Sequence, residues 1–298
     1  MQYGPPRDFQ NLDHSEALQN SQNLSGHSIT RLYRYKNERE GLLLNYNDGW
    51  GEIAPLPGFS KETLQDALDE TLSLLHDLPS ARPKLPSVRF GVESALKPFP
   101  SKPIRLPLCA LTPREGFTTL KLKLGSLSLA RAIDFVKKYL PSFRLRLDFN
   151  RQWSLGQALE FANHFKKEDF EYLEEPVNSF HDLIEFSRQT QFPIGADESI
   201  LSDPWQTIPS LKAAVVKPTL LGSIPKIPPK IDLVLSSSME SGVGLISIAR
   251  LASNKVPVGL DTYSFLKEDY LQNPIACRDG YFSWTPSPID TSKLCLIS

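Results

Sequence analysis

Charged side chains recur at the ends of successive apolar segments between residues 119 and 217. The groups are separated by 20 to 26 residues and comprise, in chain order, Lys121 with Lys123, Asp148, Glu174 with Glu175, Asp197 with Glu198, and Lys217. A strand, a helix and their connecting loops together span a comparable length. Because the carboxyl ends of parallel barrel strands meet at one rim, these side chains are predicted to face one another there.

The acidic members of this set have the chemistry of a metal site. Asp148, Glu174 and Asp197 supply carboxylate oxygens from three adjacent strands, which suits Mg²⁺, with Mn²⁺ as an alternative. A divalent ion at that place acts as a Lewis acid on a substrate oxygen. Lysines on the flanking strands would lie on opposite sides of a bound substrate. Proximity to the ion and to each other is expected to lower their pKa to roughly 7–8, which suits a general base.

The two lysines of "TLKLKLG", residues 119–125, share one face of their predicted strand. Side chains alternate along a strand, so Leu120, Leu122 and Leu124 point to the other side. Taken alone, the pattern also fits an edge strand with one face in water. The acidic groups at the neighbouring strand ends favour the alternative, in which both lysines face carboxylates across a barrel mouth.

Each strand-end charge also has an ordinary structural explanation. An aspartate after a strand is often the cap of the next helix, and a Glu-Glu-Pro sequence is often the entry to a loop. A single buried lysine usually belongs to a structural salt bridge. Because the whole set follows one repeat length, a shared site explains it better than several separate causes.

Eight short apolar segments must position these groups. They are "LPLCAL", "TTLKLKL", "FRLRLD", "EYLEEP", "FPIGADES", "AAVVKP", "DLVLSSS" and "VPVGLD", and clear helical segments such as "SLARAIDFVKKYL" and "FHDLIEFSRQT" separate several of them. Repeated βα units of this kind predict an α/β fold with a parallel barrel. Pro225, Pro228 and Pro229 prohibit a normal helix after Lys217, so the outer wall is expected to be thin there.

The first hundred residues show a different pattern. Two strand-like runs, "ITRLYRY" and "GLLLNY", precede a turn at Asn47 to Gly49, and Ser60 and Thr63 are candidate caps of a following helix. We predict a small α+β capping domain over residues 1–100, completed by the C-terminal segment 263–298, and a modified TIM barrel over residues 101–262. The Gln-, Asn- and Ser-rich residues 1–26 suggest a mobile arm or loop.

Composition narrows the function classes. A net charge of −1 over 298 residues argues against nucleic acid as a main partner. No apolar run approaches the roughly 18 residues needed to cross a membrane, and the N-terminus shows no secretory signal. The three scattered cysteines predict reduced thiols in a cytoplasmic protein, and the five histidines fall in no zinc-binding spacing. A small-molecule substrate is the expected partner.

The ordered motifs resemble those of the enolase superfamily, in its muconate-lactonizing subgroup. The matching positions are Lys121 and Lys123 in Lys-x-Lys, Asp148 and Asn150 in Asp-x-Asn, Glu174 in Glu-Glu-Pro, Asp197 and Glu198 in Asp-Glu, and Lys217. The strings "GWGEIAPLPGFS", "PSVRFGVESAL", "KPTLLGS", "SSSMESGVGLISIARLA" and "PVGLDT" are also similar. The likeness covers residues 38–262, and the polar N-terminal arm and the proline-interrupted unit depart from the pattern.

The resemblance implies a fold and a set of residue roles. The implied fold is a (β/α)7β-type TIM barrel with an N-terminal α+β capping domain. Metal ligation is implied for Asp148, Glu174 and Asp197, with Asn150 and Glu198 beside them, catalytic roles for Lys123, Lys217 and Lys121, and substrate contacts for Ser236 and Gly259.

The resemblance also implies a reaction. The loop strings are most similar to those of subgroup members that dehydrate 2-succinyl-6-hydroxy-2,4-cyclohexadiene-1-carboxylate to 2-succinylbenzoate in menaquinone biosynthesis, with Mg²⁺ as cofactor. Lys123 would remove a proton to give an enediolate and protonate the departing hydroxyl, while Lys217 stabilises the anion and Lys121 supports Lys123. The "ESGVG" segment is expected to open a helix whose N-terminal amides suit a substrate carboxylate.

Three other classes of function remain open at the level of sequence. The same opposed lysines are used by N-acylamino acid racemases and dipeptide epimerases of the superfamily. A lysine on a sixth barrel strand also suits a Schiff-base aldolase, although the three carboxylates argue against it. A binding protein without catalysis is the non-enzyme alternative, and the presence of all the chemical residues argues against that.

Overall fold

The described residues form an N-terminal sheet with two helices, a parallel barrel, and a C-terminal segment that contacts both. The computed structural model describes residues 28–36 and 39–298, so the predicted N-terminal arm lies outside the described residues. In this part of the chain, no helix is long and apolar enough to cross a membrane.

The N-terminal sheet is antiparallel. Its strands are β1 (Thr30–Lys36), β2 (Glu40–Tyr46) and β3 (Gly49–Ile53), in that spatial order. Helix α1 (Leu64–Leu74) begins after Thr63, one of the two predicted caps, whose side chain accepts a hydrogen bond from the amide of Asp66. A 3-10 turn (Leu75–Ser80) leads towards helix α2 (Pro86–Ala95). Apolar residues of both helices pack on the sheet and bury Leu42, Leu44, Ala67, Val88 and Val92.

Parallel strands build the barrel. A six-stranded sheet contains, in spatial order, β5 (Thr119–Lys123), β6 (Arg144–Asp148), β7 (Phe170–Glu174), β8 (Ile194–Ala196), β9 (Leu211–Val216) and β10 (Asp232–Leu235). Parallel bridges Ala110–Leu120, Leu108–Val258 and Ser236–Gly259 close the ring. The first and eighth predicted strands are thus reduced to bridges. Each contains a proline, Pro107 or Pro257, which has no amide to donate to a ladder.

Helices of unequal length surround the barrel. They are α3 (Leu129–Tyr139), α4 (Leu155–Ala162), α5 (Phe180–Thr190), α6 (Ser199–Ser202), α7 (Pro218–Leu221) and α8 (Gly242–Ala249), with 3-10 turns at Lys167–Asp169, Trp205–Thr207 and Asp261–Phe265. The thin wall predicted after Lys217 is confirmed, because α7 has only 4 residues before the proline-rich stretch. Helix α2 of the N-terminal unit packs against α7.

The C-terminal residues pair with earlier parts of the chain. Strands β4 (Ile104–Pro107), β11 (Ala276–Arg278) and β12 (Tyr281–Trp284) form a small antiparallel sheet with β12 in the middle. After a 3-10 turn at Thr291–Lys293, strand β13 (Cys295–Leu296) pairs with β1 at the edge of the N-terminal sheet. The domain bounds of 1–100 with 263–298, and of 101–262, stay a prediction.

Gly125, two residues after the lysine-bearing strand β5, lies against the backbone of Phe149, which directly follows β6. A Cβ built on Gly125 would lie 2.2 Å from the carbonyl oxygen of Phe149, whereas one on Gly156 meets no atom of the described residues within 4 Å. We therefore expect Gly125→Ala to lower the free energy of unfolding by about 1–3 kcal/mol through overpacking. Gly156→Ala, inside α4, should raise it by up to about 1 kcal/mol. Chemical denaturation of both variants tests this, and equal effects would contradict it.

Candidate active site

The predicted site residues stand at the carboxyl ends of the barrel strands. Lys123, Asp148 and Glu174 are the last residues of β5, β6 and β7, and Asp197 and Lys217 directly follow β8 and β9. A cavity of about 390 Å³ opens at this rim. Its lining includes Lys121, Lys123, Asp148, Asn150, Lys217, Ser236 and Gly259. The βα repeat therefore brings together residues that are up to 138 positions apart in the chain, from Lys121 to Gly259.

Lys121 joins two of the carboxylates. Its Nζ lies 2.7 Å from Oε1 of Glu174 and 3.0 Å from Oδ2 of Asp148. Burial lowers the pKa of Lys121, but the charges of Glu174 and Asp148 outweigh that effect and hold the pKa well above the usual lysine value. The pKa of Glu174 is also raised well above its usual value, but here burial is the larger effect and outweighs the attraction to Lys121.

Lys217 pairs with the third carboxylate. Its Nζ donates a hydrogen bond to Oδ2 of Asp197. Burial opposes the charge on both groups, yet their mutual attraction prevails, so the pKa of Lys217 is raised and that of Asp197 is lowered. With carboxylates as their nearest neighbours, Lys121 and Lys217 both have raised pKa values. The lowering expected beside a bound Mg²⁺ stays a prediction.

Lys123 differs from the other two lysines. It is exposed at the end of β5 and lines the cavity, and within residues 28–36 and 39–298 no carboxylate forms an ion pair with it. An amine that is not engaged by the protein's own acids is available to a substrate in the cavity. The two lysines of β5 thus lie on the same face of the strand but have different surroundings.

Asn150 and Glu198 lie next to the acidic cluster. The amide Nδ2 of Asn150 donates to Oε1 of Glu198 over 3.4 Å, and the backbone amide of Asn150 donates to Oδ1 of Asp148 over 3.1 Å. Burial and the charge of Asp197 raise the pKa of Glu198. The pair therefore borders Asp148 on one side and Asp197 on the other.

The three predicted ligands are close but not arranged around one point. Within the described part of the chain, no three His, Cys, Asp or Glu side chains are placed to coordinate a single ion. Oxygens of Asp148, Glu174 and Asp197 instead form ion pairs with Lys121 and Lys217. The second oxygen of Glu174, Oε2, is buried and has no hydrogen-bond partner among the described residues. The ligand assignment stays a prediction.

A buried network centred on Glu175 was not found from the sequence. Its carboxylate is fully buried and accepts hydrogen bonds from the amide of Asp197 (2.9 Å), the amide of Ser199 (2.7 Å) and the Ser199 hydroxyl (2.9 Å). Arg151 adds an ion pair over 2.9 Å and is itself held by Asp203. The network fixes the backbone that carries Asp197. In the sequence, the only feature that pointed to a role for Glu175 was its place beside Glu174 in "YLEEP".

We expect Glu175→Gln to weaken divalent-metal binding by about 10–100-fold, because supporting groups behind metal ligands have effects of that size. The amide would repel one of the donors that now converge on the carboxylate. Calorimetric titration with Mg²⁺ measures this, and Glu168→Gln at an exposed carboxylate is the matched control. Equal affinities in both variants would refute a positioning role for Glu175.

Ser236 and Gly259 form the far wall of the cavity. The Ser236 hydroxyl donates to the carbonyl oxygen of Gly259 over 3.2 Å, and a Cβ on Gly259 would lie 2.7 Å from that hydroxyl. Cys109, Arg146 and Tyr172 line the floor and were not singled out from the sequence. Burial raises the pKa of the Cys109 thiol to about 11, so the thiol is neutral near pH 7.

The expectation for the "ESGVG" helix needs correction. Helix α8 does begin there, but its N-terminal amides are bonded within the protein. The amide of Gly242 donates to Asp269 over 2.9 Å, that of Val243 to the Ser241 hydroxyl over 3.3 Å, and that of Gly244 to Glu52 over 2.9 Å. These amides are therefore not available to a substrate carboxylate, because two acidic side chains distant in sequence already occupy that helix end.

Comparisons with known proteins decide the family. Residues 108–219 match the family model described as "Enolase C-terminal domain-like", and residues 27–99 match "MenC, N-terminal domain". The o-succinylbenzoate synthase of Haemophilus influenzae is 34% identical over 285 residues, which cover 80% of this chain and 87% of that protein. The one from Yersinia enterocolitica is 35% identical over 281 residues, with the same shares of 80% and 87%.

This chain belongs to the o-succinylbenzoate synthase family of the enolase superfamily. Solved structures agree on the fold. The o-succinylbenzoate synthase from Thermosynechococcus elongatus, solved with Mg in its active site, has a TM-score of 0.63 at 22% identity and covers 81% of this chain and 94% of its own. For the muconate lactonizing enzyme of Pseudomonas putida the values are 0.66, 16%, 90% and 97%.

Membership in the o-succinylbenzoate synthase family confirms three predictions. The recognised superfamily and subgroup resemblance is correct, and the barrel with an N-terminal cap is the fold of the structural relatives. The family also makes the chain an enzyme of the lyase class, which excludes the non-catalytic binding protein.

Proposed function

We propose that this protein dehydrates 2-succinyl-6-hydroxy-2,4-cyclohexadiene-1-carboxylate to 2-succinylbenzoate, a step of menaquinone biosynthesis, with Mg²⁺ as cofactor. The observation that carries the proposal is the convergence of Lys121, Lys217 and three carboxylates at one barrel rim, beside the accessible amine of Lys123. Family membership supports the choice of substrate.

The acidic cluster suits a divalent cation. Among the residues that the structure describes, Asp148, Glu174 and Asp197 are paired with two ammonium groups, and Oε2 of Glu174 is buried without a hydrogen-bond partner. An added divalent cation would stabilise all three side chains in the ionised form, and carboxylate oxygens are the ligands that Mg²⁺ prefers. When bound, the ion supplies positive charge to oppose the charge that develops on the substrate carboxylate. Asp148, Glu174 and Asp197 would hold it.

Lys123 is proposed as the acid–base residue. Its amine would take the proton from the ring carbon that bears the carboxylate, which leaves an enediolate. The resulting ammonium would then donate a proton to the hydroxyl on the neighbouring carbon as the C–O bond breaks. Water departs and the ring becomes aromatic, so one residue at the end of β5 serves both steps.

Lys217 and Lys121 are proposed to stabilise rather than to transfer protons. In the sheet order, three strands separate β9 from β5, so Lys217 lies across the barrel mouth from Lys123. From that side its charge would stabilise the anionic intermediate, including by a cation–π contact with the ring. Lys121 is engaged by two carboxylates and would act on Lys123 through its charge. Ser236 and Gly259 would contact the succinyl chain.

The direct test is turnover of the purified protein with Mg²⁺ and the cyclohexadiene substrate. Formation of 2-succinylbenzoate is the expected result. The placement of Lys123 and Lys217 on opposite strands also suits racemisation of N-acylamino acids or epimerisation of dipeptides. Incubation of these compounds in D₂O measures exchange of the α-proton. Exchange and turnover far exceeding dehydration would reject the proposed function in favour of those reactions.

A further inference from the structure

A fully buried contact joins the N-terminal sheet to the barrel close to the active site. Glu52 of β3 is 1% exposed, and its carboxylate accepts hydrogen bonds from the Tyr35 hydroxyl (2.5 Å), the amide of Ser241 (3.0 Å) and the amide of Gly244 (2.9 Å). The Ser241 hydroxyl also donates to it. The Glu52 carboxylate thus binds both its own sheet and the first turn of α8, about 190 residues later in the chain. It keeps all of these hydrogen bonds only while the sheet and the helix stay in place.

The chain on each side of this contact runs directly into the catalytic cavity. Residues after Glu52 supply Leu56 and Phe59 to one wall of the cavity, and residues just before Ser241 supply Ser236 to Met239 to another. We propose that Glu52 is a positioning residue that sets the distance between these two walls and thereby the fit of the substrate. This inference rests on the proposed function for the identity of the substrate.

The surroundings of Glu52 leave little freedom for another arrangement. A Cβ on Gly244 would lie 2.7 Å from Oε2 of Glu52 and 2.6 Å from Cβ of Glu240, so only glycine allows this approach. Glu240 holds the other end of the same loop, since its carboxylate accepts hydrogen bonds from the amide of Ser238 (2.6 Å) and from the Thr219 hydroxyl (2.5 Å). Glu240 fixes the serine-bearing loop to the barrel, whereas Glu52 fixes it to the N-terminal sheet.

The test compares Glu52→Ala and Glu52→Gln with Glu62→Ala. Glu62 is the matched control because it is also a buried glutamate of the N-terminal unit and binds a helix amide, that of Ser87 over 2.9 Å, within that unit. For Glu52→Ala we expect KM for the cyclohexadiene substrate to rise by about tenfold or more, with kcat changed much less, because wall spacing affects substrate and transition state alike. Glu52→Gln should give an intermediate KM, and Glu62→Ala should change neither constant.

Hydrogen exchange of the Ser237, Ser238 and Gly244 amides provides a readout without substrate. Exchange should be faster in both Glu52 variants and unchanged in the control. If the alanine variant does not fold, the glutamine variant carries the comparison. The inference would be overturned if KM and amide exchange were unchanged in the Glu52 variants. It would also be overturned if the loss of activity followed the melting temperature equally in the Glu52 and Glu62 variants. Failure of the proposed function would appear separately, as a wild type that makes no 2-succinylbenzoate.

Discussion

Lys123→Ala is expected to lose dehydration turnover by about 10²–10⁴-fold, the usual contribution of a positioned acid–base group. The effect should fall on kcat, because the amine acts on the proton and on the leaving hydroxyl rather than on ground-state binding. The side chain is exposed and lies outside the salt-bridged cluster, so the free energy of unfolding should change by no more than about 0.5 kcal/mol. Steady-state kinetics and chemical denaturation on one preparation measure both quantities.

The matched control for this variant is Lys137→Ala, which removes an exposed lysine from the last turn of α3. It should leave turnover unchanged. Single-turnover experiments in D₂O add a second measurement, because loss of the acid–base residue also stops exchange of the ring proton. Turnover of Lys123→Ala at the wild-type rate would remove Lys123 from the mechanism and direct attention to Lys217.

Removal of divalent metal is expected to abolish turnover, and added Mg²⁺ should restore it. A bound divalent ion contributes several kcal/mol to a charged transition state, so we expect a loss of at least about 10²–10³-fold in EDTA. Glu174→Gln should reproduce most of this loss and weaken Mg²⁺ binding in calorimetry, because it replaces the carboxylate with the unpartnered oxygen. Excess Mg²⁺ should restore turnover to the EDTA-treated wild type but not to Glu174→Gln.

This experiment also separates the metal-dependent mechanism from a Schiff-base aldolase. An aldolase that used Lys217 would tolerate EDTA and would be inactivated by borohydride in the presence of a carbonyl substrate. The proposed enzyme should show the reverse pattern. EDTA-insensitive dehydration by the wild type would refute the metal assignment to Asp148, Glu174 and Asp197.

The location of the site could be predicted because the repeat length of βα units is visible in a single sequence. Strand ends spaced by one unit, from Lys123 to Lys217, must share a rim once the sheet is parallel and closed. The alternation of side chains placed Lys121 and Lys123 on the cavity side. The prolines after Lys217 likewise fixed the short α7, since a local covalent constraint needs no tertiary information.

Contacts between distant segments were beyond the reach of that reasoning. No spacing rule connects Glu52 with Ser241. The N-terminal amides of α8 were expected to be available to a substrate for the same reason, because their acceptors lie on distant parts of the chain. The difference between the two lysines of β5 could not be predicted for a related reason. Lys121 and Lys123 share one face in the strand pattern, and the register places Lys123, not Lys121, next to Asp148. Neither fact reveals that Lys121 forms the ion pairs with Asp148 and Glu174 while Lys123 stays accessible.

The short α7 has a consequence for protein engineering. Its 4 residues cover little of β9, the sixth barrel strand, and α2 supplies part of the outer layer there. Gly222, directly after α7, is so close to the start of α2 that an added Cβ would lie 3.0 Å from Cα of Pro86. The N-terminal unit is therefore a section of the barrel's shell as well as a cap. Chimeras that graft the cap of a relative onto this barrel must transfer α2 and α7 as a matched pair. Otherwise they expose Leu220 and the apolar residues beside it.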